Sequence, residues 1–242
     1  MKFHTTVFNS ILLLIIIPSA FADSEISDPL EPMNRGIFWF NDKVDTHLFE
    51  PVAQSYHDTF PSELRNSVAN FFENLKFPIF LVSDLIQLKF KQVPIHTSRF
   101  VINSTVGIAG LFDPAEKWGL ASHEEDFGVA LGYHGVGDGP YIVLPFLGPS
   151  SARDLLGTIV DTILYPTWHL GYFDIKRSTE NTLTYSLAGV NVLKKRERLL
   201  EAVKSAKSAS LDYYLFTRSA FKQSRDGLIY DGAAPETDEF GE

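Results

Sequence analysis

Apolar residues recur at three- and four-residue steps along most of this chain. Over residues 33–56, Ile37, Phe40, Val44, Leu48 and Val52 build one face of a helix, with a break expected near Pro51. A second amphipathic helix is expected from Pro61, capped by Asp58 or Thr59, with Leu64, Val68, Phe71, Phe72 and Leu75 on its apolar side. Residues 78–91 depart from that pattern. Ile79, Phe80, Leu81, Val82, Leu85, Ile86, Leu88 and Phe90 cover most of the helix surface and leave a narrow polar strip of Ser83, Asp84, Gln87 and Lys91. Such a helix would reach about 21 Å, short of the ~30 Å hydrocarbon core of a bilayer. Periodicity alone leaves two readings open: a buried core helix, or one seated in a single leaflet. Further helices are expected over 94–106, 123–131, 150–164 and much of 181–224, and one extended run over 141–144.

The segment from Phe127 to Asp154 is punctuated differently. Gly132, Gly135, Gly137 and Gly139 precede an apolar run bracketed by Pro140, Pro145 and Pro149, a composition for turns, and no helix is expected to cross it. The run lacks the Lys-Ser/Thr of a phosphate-binding loop and the third-glycine spacing of a dinucleotide fingerprint. It reads as a mobile loop beside an apolar passage.

Residues 1–22 read as an export signal: Lys2, an apolar stretch from Val7 to Ile17, and Ala20-Phe21-Ala22 as the cleavage site. Residues 23–230 read as one domain, and 231–242 as a disordered acidic tail. The sequence contains no cysteine, which excludes disulfides, zinc-thiolate sites and a lipid attached through cysteine. Acidic residues outnumber basic ones 30 to 21, so nucleic acid is not an expected partner. Membrane attachment has to rest on apolar burial, for which 20 Phe, 9 Tyr and 3 Trp supply material.

Little here suggests covalent chemistry. His123-Glu124-Glu125-Asp126 crowds a histidine with carboxylates, but consecutive helical positions diverge, and an acid-rich helix start capped by Ser122 is the simpler account. No metal and no cofactor are expected. A hydrolase could draw on Ser150 or Ser151, His134 or His169, and Asp154 or Asp161, yet no Gly-x-Ser-x-Gly elbow frames the serines, and Ser150-Ser151 reads as a helix cap. The basic run of Lys194, Lys195, Arg196, Arg198, Lys204 and Lys207 is either a solvated helix face or a site for an acidic partner or lipid headgroups.

Four stretches together resemble the MlaA family, also called VacJ, of outer-membrane phospholipid-transport proteins of Gram-negative bacteria. They are Asp28-Pro29-Leu30-Glu31-Pro32-Met33-Asn34-Arg35 running into Phe38 and Phe40-Asn41; Arg99-Phe100 with Asn103-Ser104, Gly107, Gly110-Leu111 and Asp113; the glycine-rich segment through Pro145-Phe146 to Arg153-Asp154; and Asp212, Tyr214, Arg218, Ala220, Phe221, Gln223 and Arg225.

The resemblance implies a mostly α-helical fold: a ring of amphipathic helices around a central amphipathic channel, embedded mainly in the inner leaflet of the outer membrane, with a flexible glycine-rich loop. It implies a non-enzymatic protein that removes mislocalised phospholipid from the outer leaflet, passes it to a MlaC-like periplasmic carrier, and associates with a trimeric porin. Under it Gly132, Gly135, Gly137 and Gly139 become gating candidates, Arg153, Asp154 and Asp161 pore-lining candidates, and Phe80, Leu81, Leu85 and Leu88 membrane-embedded candidates. Family members carry a cysteine at the start of the mature chain, where this sequence has Asp23, so a variant without a lipid anchor is expected. The alternative is an envelope scaffold that only binds a porin.

Overall fold

The computed structural model describes residues 26–167, 169 and 177–232. The expected export signal and the tail from residue 233 onward lie outside the described residues. The fold is mostly helical. In chain order the elements are α1 (Glu31–Val44), a π turn (Asp45–Phe49), α2 (Glu50–Thr59), α3 (Ser62–Leu75), α4 (Phe77–Ile86), α5 (Gln92–Thr105), α6 (Pro114–Lys117), α7 (Phe127–Tyr133), β1 (Tyr141–Leu144), β2 (Gly148–Ser151), α8 (Ala152–Leu164), α9 (Arg177–Arg198), α10 (Leu200–Ala209) and α11 (Tyr213–Ile229).

The break expected near Pro51 is the π turn, after which the helix resumes with Pro51 in the first turn of α2, where a missing N–H costs least. Asp58 and Thr59 do not cap α3; they finish α2, and α3 starts after Pro61 with no side-chain cap. The helix expected over 78–91 stops at Ile86, and Leu88 takes a left-handed φ of 58°. Residues 123–126 are not helical: Asp126, not Ser122, caps α7 by accepting the Val129 N–H. Helix α7 runs through Gly132 and ends at Tyr133, and no helix crosses the rest of the glycine-rich segment.

Strand β1 is joined by β2, in antiparallel register Tyr141↔Ser151 to Leu144↔Gly148. Gly148-Pro149-Ser150-Ser151 has turn composition; pairing with β1 makes it extended, and proline is tolerated in a two-stranded ribbon. The hairpin is clamped to α1 by two asparagines two turns apart. Asn34 Nδ2 donates to the Tyr141 carbonyl (2.9 Å) and Asn34 Oδ1 accepts the Val143 N–H (2.9 Å). Asn41 Nδ2 donates to the Leu144 carbonyl (2.9 Å) and Asn41 Oδ1 accepts the Phe146 N–H (2.8 Å). Around this clamp Ile26, Tyr141, Val143 and Tyr214 form a buried cluster, flanked by Ile37, Phe38 and Phe221.

Two helices carry their polarity reversed. In α4 and the residues after it, Ser83, Asp84 and Gln87 are at most 1% exposed, while Leu85, Leu88 and Phe90 are 47%, 64% and 64% exposed. In α8, Arg153 and Asp154 are buried, whereas Leu156, Ile159 and Ile163 face outward. A water-facing helix does the opposite. Two of the buried polar groups find partners inside: His96 Nδ1 lies 2.6 Å from Asp84 Oδ2, and Gln87 Nε2 donates to Glu125 Oε2 at 2.5 Å.

Candidate functional site

An open cavity of about 420 Å³ is lined from the α3–α4 junction (Lys76, Ile79), the loop before α7 (Glu124, Glu125, Asp126), α8 and its end (Thr158, Asp161, Thr162, Tyr165), α9 (Leu187, Asn191, Val192, Lys195), and by Leu147 and Leu228. The wall is mixed in polarity, because α8 turns its polar face inward and α9 presents both kinds of side chain.

Its charges fall into two groups. Some are locked. Glu125 accepts from Gln87 and from Lys89 Nζ (2.9 Å). Asp126 is gripped by both terminal nitrogens of Arg225, at 2.6 and 2.8 Å, and Arg225 also reaches Asp154 Oδ1 at 3.0 Å. Burial pushes the Asp126 carboxyl up, but the Arg225 guanidinium and the capped N–H hold it below the ordinary carboxylate value. The others are loosely held or open. Asp161 accepts the Phe127 N–H (3.1 Å) and forms no ion pair among the described residues; burial, then the Asp126 charge, raise it to about 7. Lys195 is exposed and forms no ion pair among the described residues. Glu124 is 3.9 Å from Lys76, which pairs more closely with Glu73 at 3.0 Å. The Tyr165 hydroxyl and Asn191 Oδ1 are buried without a hydrogen-bond partner among the described residues. Burial raises Tyr165 to about 12, which keeps it a hydroxyl donor.

Of the three pore-lining candidates, Asp161 lines this cavity, as do Glu124, Glu125 and Asp126 of the acidic run. Arg153 and Asp154 do not: they are buried behind it, Arg153 pairing with Asp138 (2.7 Å) and Asp154 (3.1 Å). A one-turn offset on α8 separates them from the cavity-facing Thr158, Asp161 and Thr162. The glycine-rich loop is not part of the lining either. Gly132 packs within α7, where a Cβ would meet Ile229 and Arg153; Gly135 and Gly139 take φ of 79° and 66° in turns; Gly137 has no left-handed φ. Leu85 and Leu88 are exposed and Leu81 is half-buried, but Phe80 is buried against His96, so it is a core residue.

The basic run divides. Arg196 pairs with Asp45 (2.5 Å) and Lys207 with Asp42 (2.7 Å), tying α9 and α10 to the first helices. Lys194 is buried over the Phe72 ring at 5.4 Å, and only Lys195 of these reaches the cavity. The hydrolase candidates do not assemble: Ser151 Oγ accepts the Asp154 N–H as the cap of α8, and His134 Nε2 donates to the Ile86 carbonyl. Lys76, Tyr165 and Asn191 escaped sequence reading, since each stands alone in a stretch with no motif.

The motifs that carried the resemblance are structural clasps. Arg99 Nη2 and Asn103 Nδ2 both donate to Asp113 (2.6 and 2.9 Å), closing the turn after α5. Asp28 receives Asn34 Nδ2 at 2.8 Å together with the Tyr214 hydroxyl, and Asp212 pairs with Arg35 at 2.9 Å.

A family model described as MlaA lipoprotein matches residues 26–227. The chain is 33% identical over 213 residues to the intermembrane phospholipid transport system lipoprotein MlaA of Escherichia coli K12, covering 85% of this chain and 80% of that one. It is 30% identical over 222 residues to the same-named protein of Haemophilus influenzae (89% and 84% covered), and 35% identical over 205 residues to an uncharacterized protein of Rickettsia bellii (85% and 78% covered). A solved structure reported under "Structural basis for maintenance of bacterial outer membrane lipid asymmetry" superposes with a TM-score of 0.71 at 34% identity, covering 84% of this chain and 99% of that one.

Proposed function

Because the chain belongs to the MlaA lipoprotein family, we propose that it moves phospholipid out of the outer leaflet of an outer membrane, through the mixed-polarity cavity, toward a soluble periplasmic carrier. Carrying the reading is the pairing of that cavity with reversed helices around it: polar groups of α4 and α8 turned inward, Leu85, Leu88, Phe90, Leu156, Ile159 and Ile163 turned outward. A phospholipid needs both surroundings at once, since a charged headgroup stranded in hydrocarbon costs several kcal/mol.

Packing supports a closed ring as the form of the channel. Contacts run from α1 through the π turn to α2, then α9, α3, α4, α7 and α8, and return by the β hairpin to α1. Ten residues of α4 are about 15 Å long, half of the hydrocarbon core, so seating in one leaflet fits its length. No described helix is long and apolar enough to cross a membrane. The 242 residues contain no cysteine to carry a lipid, so within them the outward apolar side chains are the means of attachment. Gating by the glycine-rich loop would act through Arg153, which holds Asp138 and the Val136 carbonyl and sits on the helix that carries Asp161. A porin partner is carried by the family resemblance.

The test is complementation of a strain lacking its own homologue, read by surface-accessible phospholipid. Restored asymmetry supports transport. Unchanged surface phospholipid with normal protein abundance, together with altered porin assembly, would favour the scaffold instead.

A further inference from the structure

Two opposite charges face the same cavity without meeting. Asp161 on α8 and Lys195 on α9 both line it, and neither has an ion pair among the described residues. The other charges on the wall are engaged more closely, Asp126 by Arg225, Glu125 by Lys89 and Lys76 by Glu73, except Glu124, which is exposed and only 3.9 Å from an already paired Lys76. Two further polar atoms on cavity-lining residues, the Tyr165 hydroxyl and Asn191 Oδ1, are buried and have no partner among the described residues. Leaving the two buried atoms unpaired costs stability that a ligand's donors and acceptors would restore, while Lys195 is exposed and free to reach a ligand at no such cost.

We infer that the cavity is a receptor for a zwitterionic phospholipid headgroup, with phosphate received by Lys195 and the Tyr165 hydroxyl and the ammonium by Asp161 and Glu124. This rests on the phospholipid-transport reading above and goes further, naming the headgroup class. Lys195 and Tyr165 offer donors to phosphate oxygens, and an ammonium brings donors to the open carboxylate of Asp161. Ile79, Leu147, Leu187, Val192 and Leu228 supply the apolar wall along which the tails run. A headgroup with phosphate and no cation would leave Asp161 and Glu124 facing an anion, so net-anionic lipids are disfavoured by like charge.

Calorimetric titration of the purified full chain tests this with four probes: dihexanoyl-phosphatidylethanolamine, dihexanoyl-phosphatidylglycerol, O-phosphoethanolamine and inorganic phosphate. The expected result is a preference of about tenfold for phosphatidylethanolamine over phosphatidylglycerol, with the two tail-less probes binding far more weakly. Lys195→Met should lower phosphatidylethanolamine affinity roughly tenfold, the value of one charge-assisted contact, and Lys195→Arg should restore it. Asp161→Asn should erase the preference while leaving phosphatidylglycerol affinity unchanged or higher. Circular dichroism melts confirm that each variant is folded. Equal binding of both lipids, insensitive to Lys195 and Asp161, would overturn the headgroup inference and leave the phospholipid reading standing. Binding of neither lipid would overturn both, and tight binding of inorganic phosphate alone would make this a phosphate site.

Discussion

Gly128 on α7 and Gly157 on α8 bring two helix backbones into direct contact: a Cβ added to Gly157 would lie 2.7 Å from Gly128 Cα. The crossing sets the position of α8, and with it Asp161, because α7 and α8 share the most extensive helix–helix contact of the described residues.

Gly157→Ala should therefore destabilise the protein by about 2 kcal/mol or more, since backbone cannot yield as a flexible side chain would. Gly189→Ala is the control. Gly189 sits mid-helix in α9 with nothing within 4 Å of the added carbon, so the change should stabilise by about 0.5–1 kcal/mol. Urea denaturation of the two variants measures both, and a Gly157→Ala protein as stable as the parent would refute the close crossing.

Much of this architecture was legible in advance, and the rest failed for identifiable reasons. Helical periodicity marked α1, α3, α5 and α8 because each separates apolar from polar side chains at helical spacing, although in α5 and α8 the buried side chains are polar. It could not say which side of residues 78–91 faced inward: with apolar residues nearly all round, the polar strip of Ser83, Asp84 and Gln87 reads as a solvent face, yet Asp84–His96 and Gln87–Glu125 pairing turns it into the buried one. Asp161 was legible as a carboxylate spaced two turns from Asp154. Its separation in role was not, because Arg225, from a helix distant in sequence, claims Asp154 and Asp126 and leaves Asp161 without a cation.

That division makes Arg225 a sharp test. Replacing it by Met leaves Asp126 and Asp154 close together without their shared cation, so a loss of about 3–5 kcal/mol is expected, the cost of breaking a buried pair from one side. Asp161 should become harder still to ionise as a positive neighbour is lost. A urea midpoint unchanged by Arg225→Met would show that the network contributes nothing.

The reversed polarity of α4 predicts a dissociation of stability from membrane binding. Leu85→Gln and Phe90→Gln remove apolar surface that is already exposed, so unfolding free energy should change by no more than about 0.5 kcal/mol. Flotation with phosphatidylethanolamine–phosphatidylglycerol vesicles should nevertheless fall severalfold, as each lost side chain gives up part of the ~1.5–3 kcal/mol of a fully buried one. Phe80→Ala, five residues before Leu85 but buried, should do the reverse and cost roughly 3–5 kcal/mol in the fold. Equal flotation of the Gln variants and the parent would remove α4 from the membrane contact.

Asp161 gives the last test, in which stability and function pull against each other. Burial in the cavity wall, then the charge of Asp126, lift its carboxyl from the ordinary 3.8 to about 7, while the Phe127 N–H, Arg225 and Lys76 oppose the rise without cancelling it. The native state therefore holds a proton that the unfolded chain has already released between about pH 4 and 7, and stability must fall as pH rises across that window. Asp161→Asn cannot ionise and keeps an acceptor for the Phe127 N–H. It should match the parent near pH 4 and exceed it by on the order of 1–2 kcal/mol at pH 8.5, allowing for solvent screening in an open cavity. Urea midpoints at pH 4, 6 and 8.5 resolve the trend, and a gap that does not widen with pH would refute it. The same variant should lose its preference for a lipid carrying an ammonium, because the charge that strains the fold is the one the headgroup satisfies. A carboxylate kept at a cost to the native state, and repaired only when a cation arrives, is what a binding site requires of it.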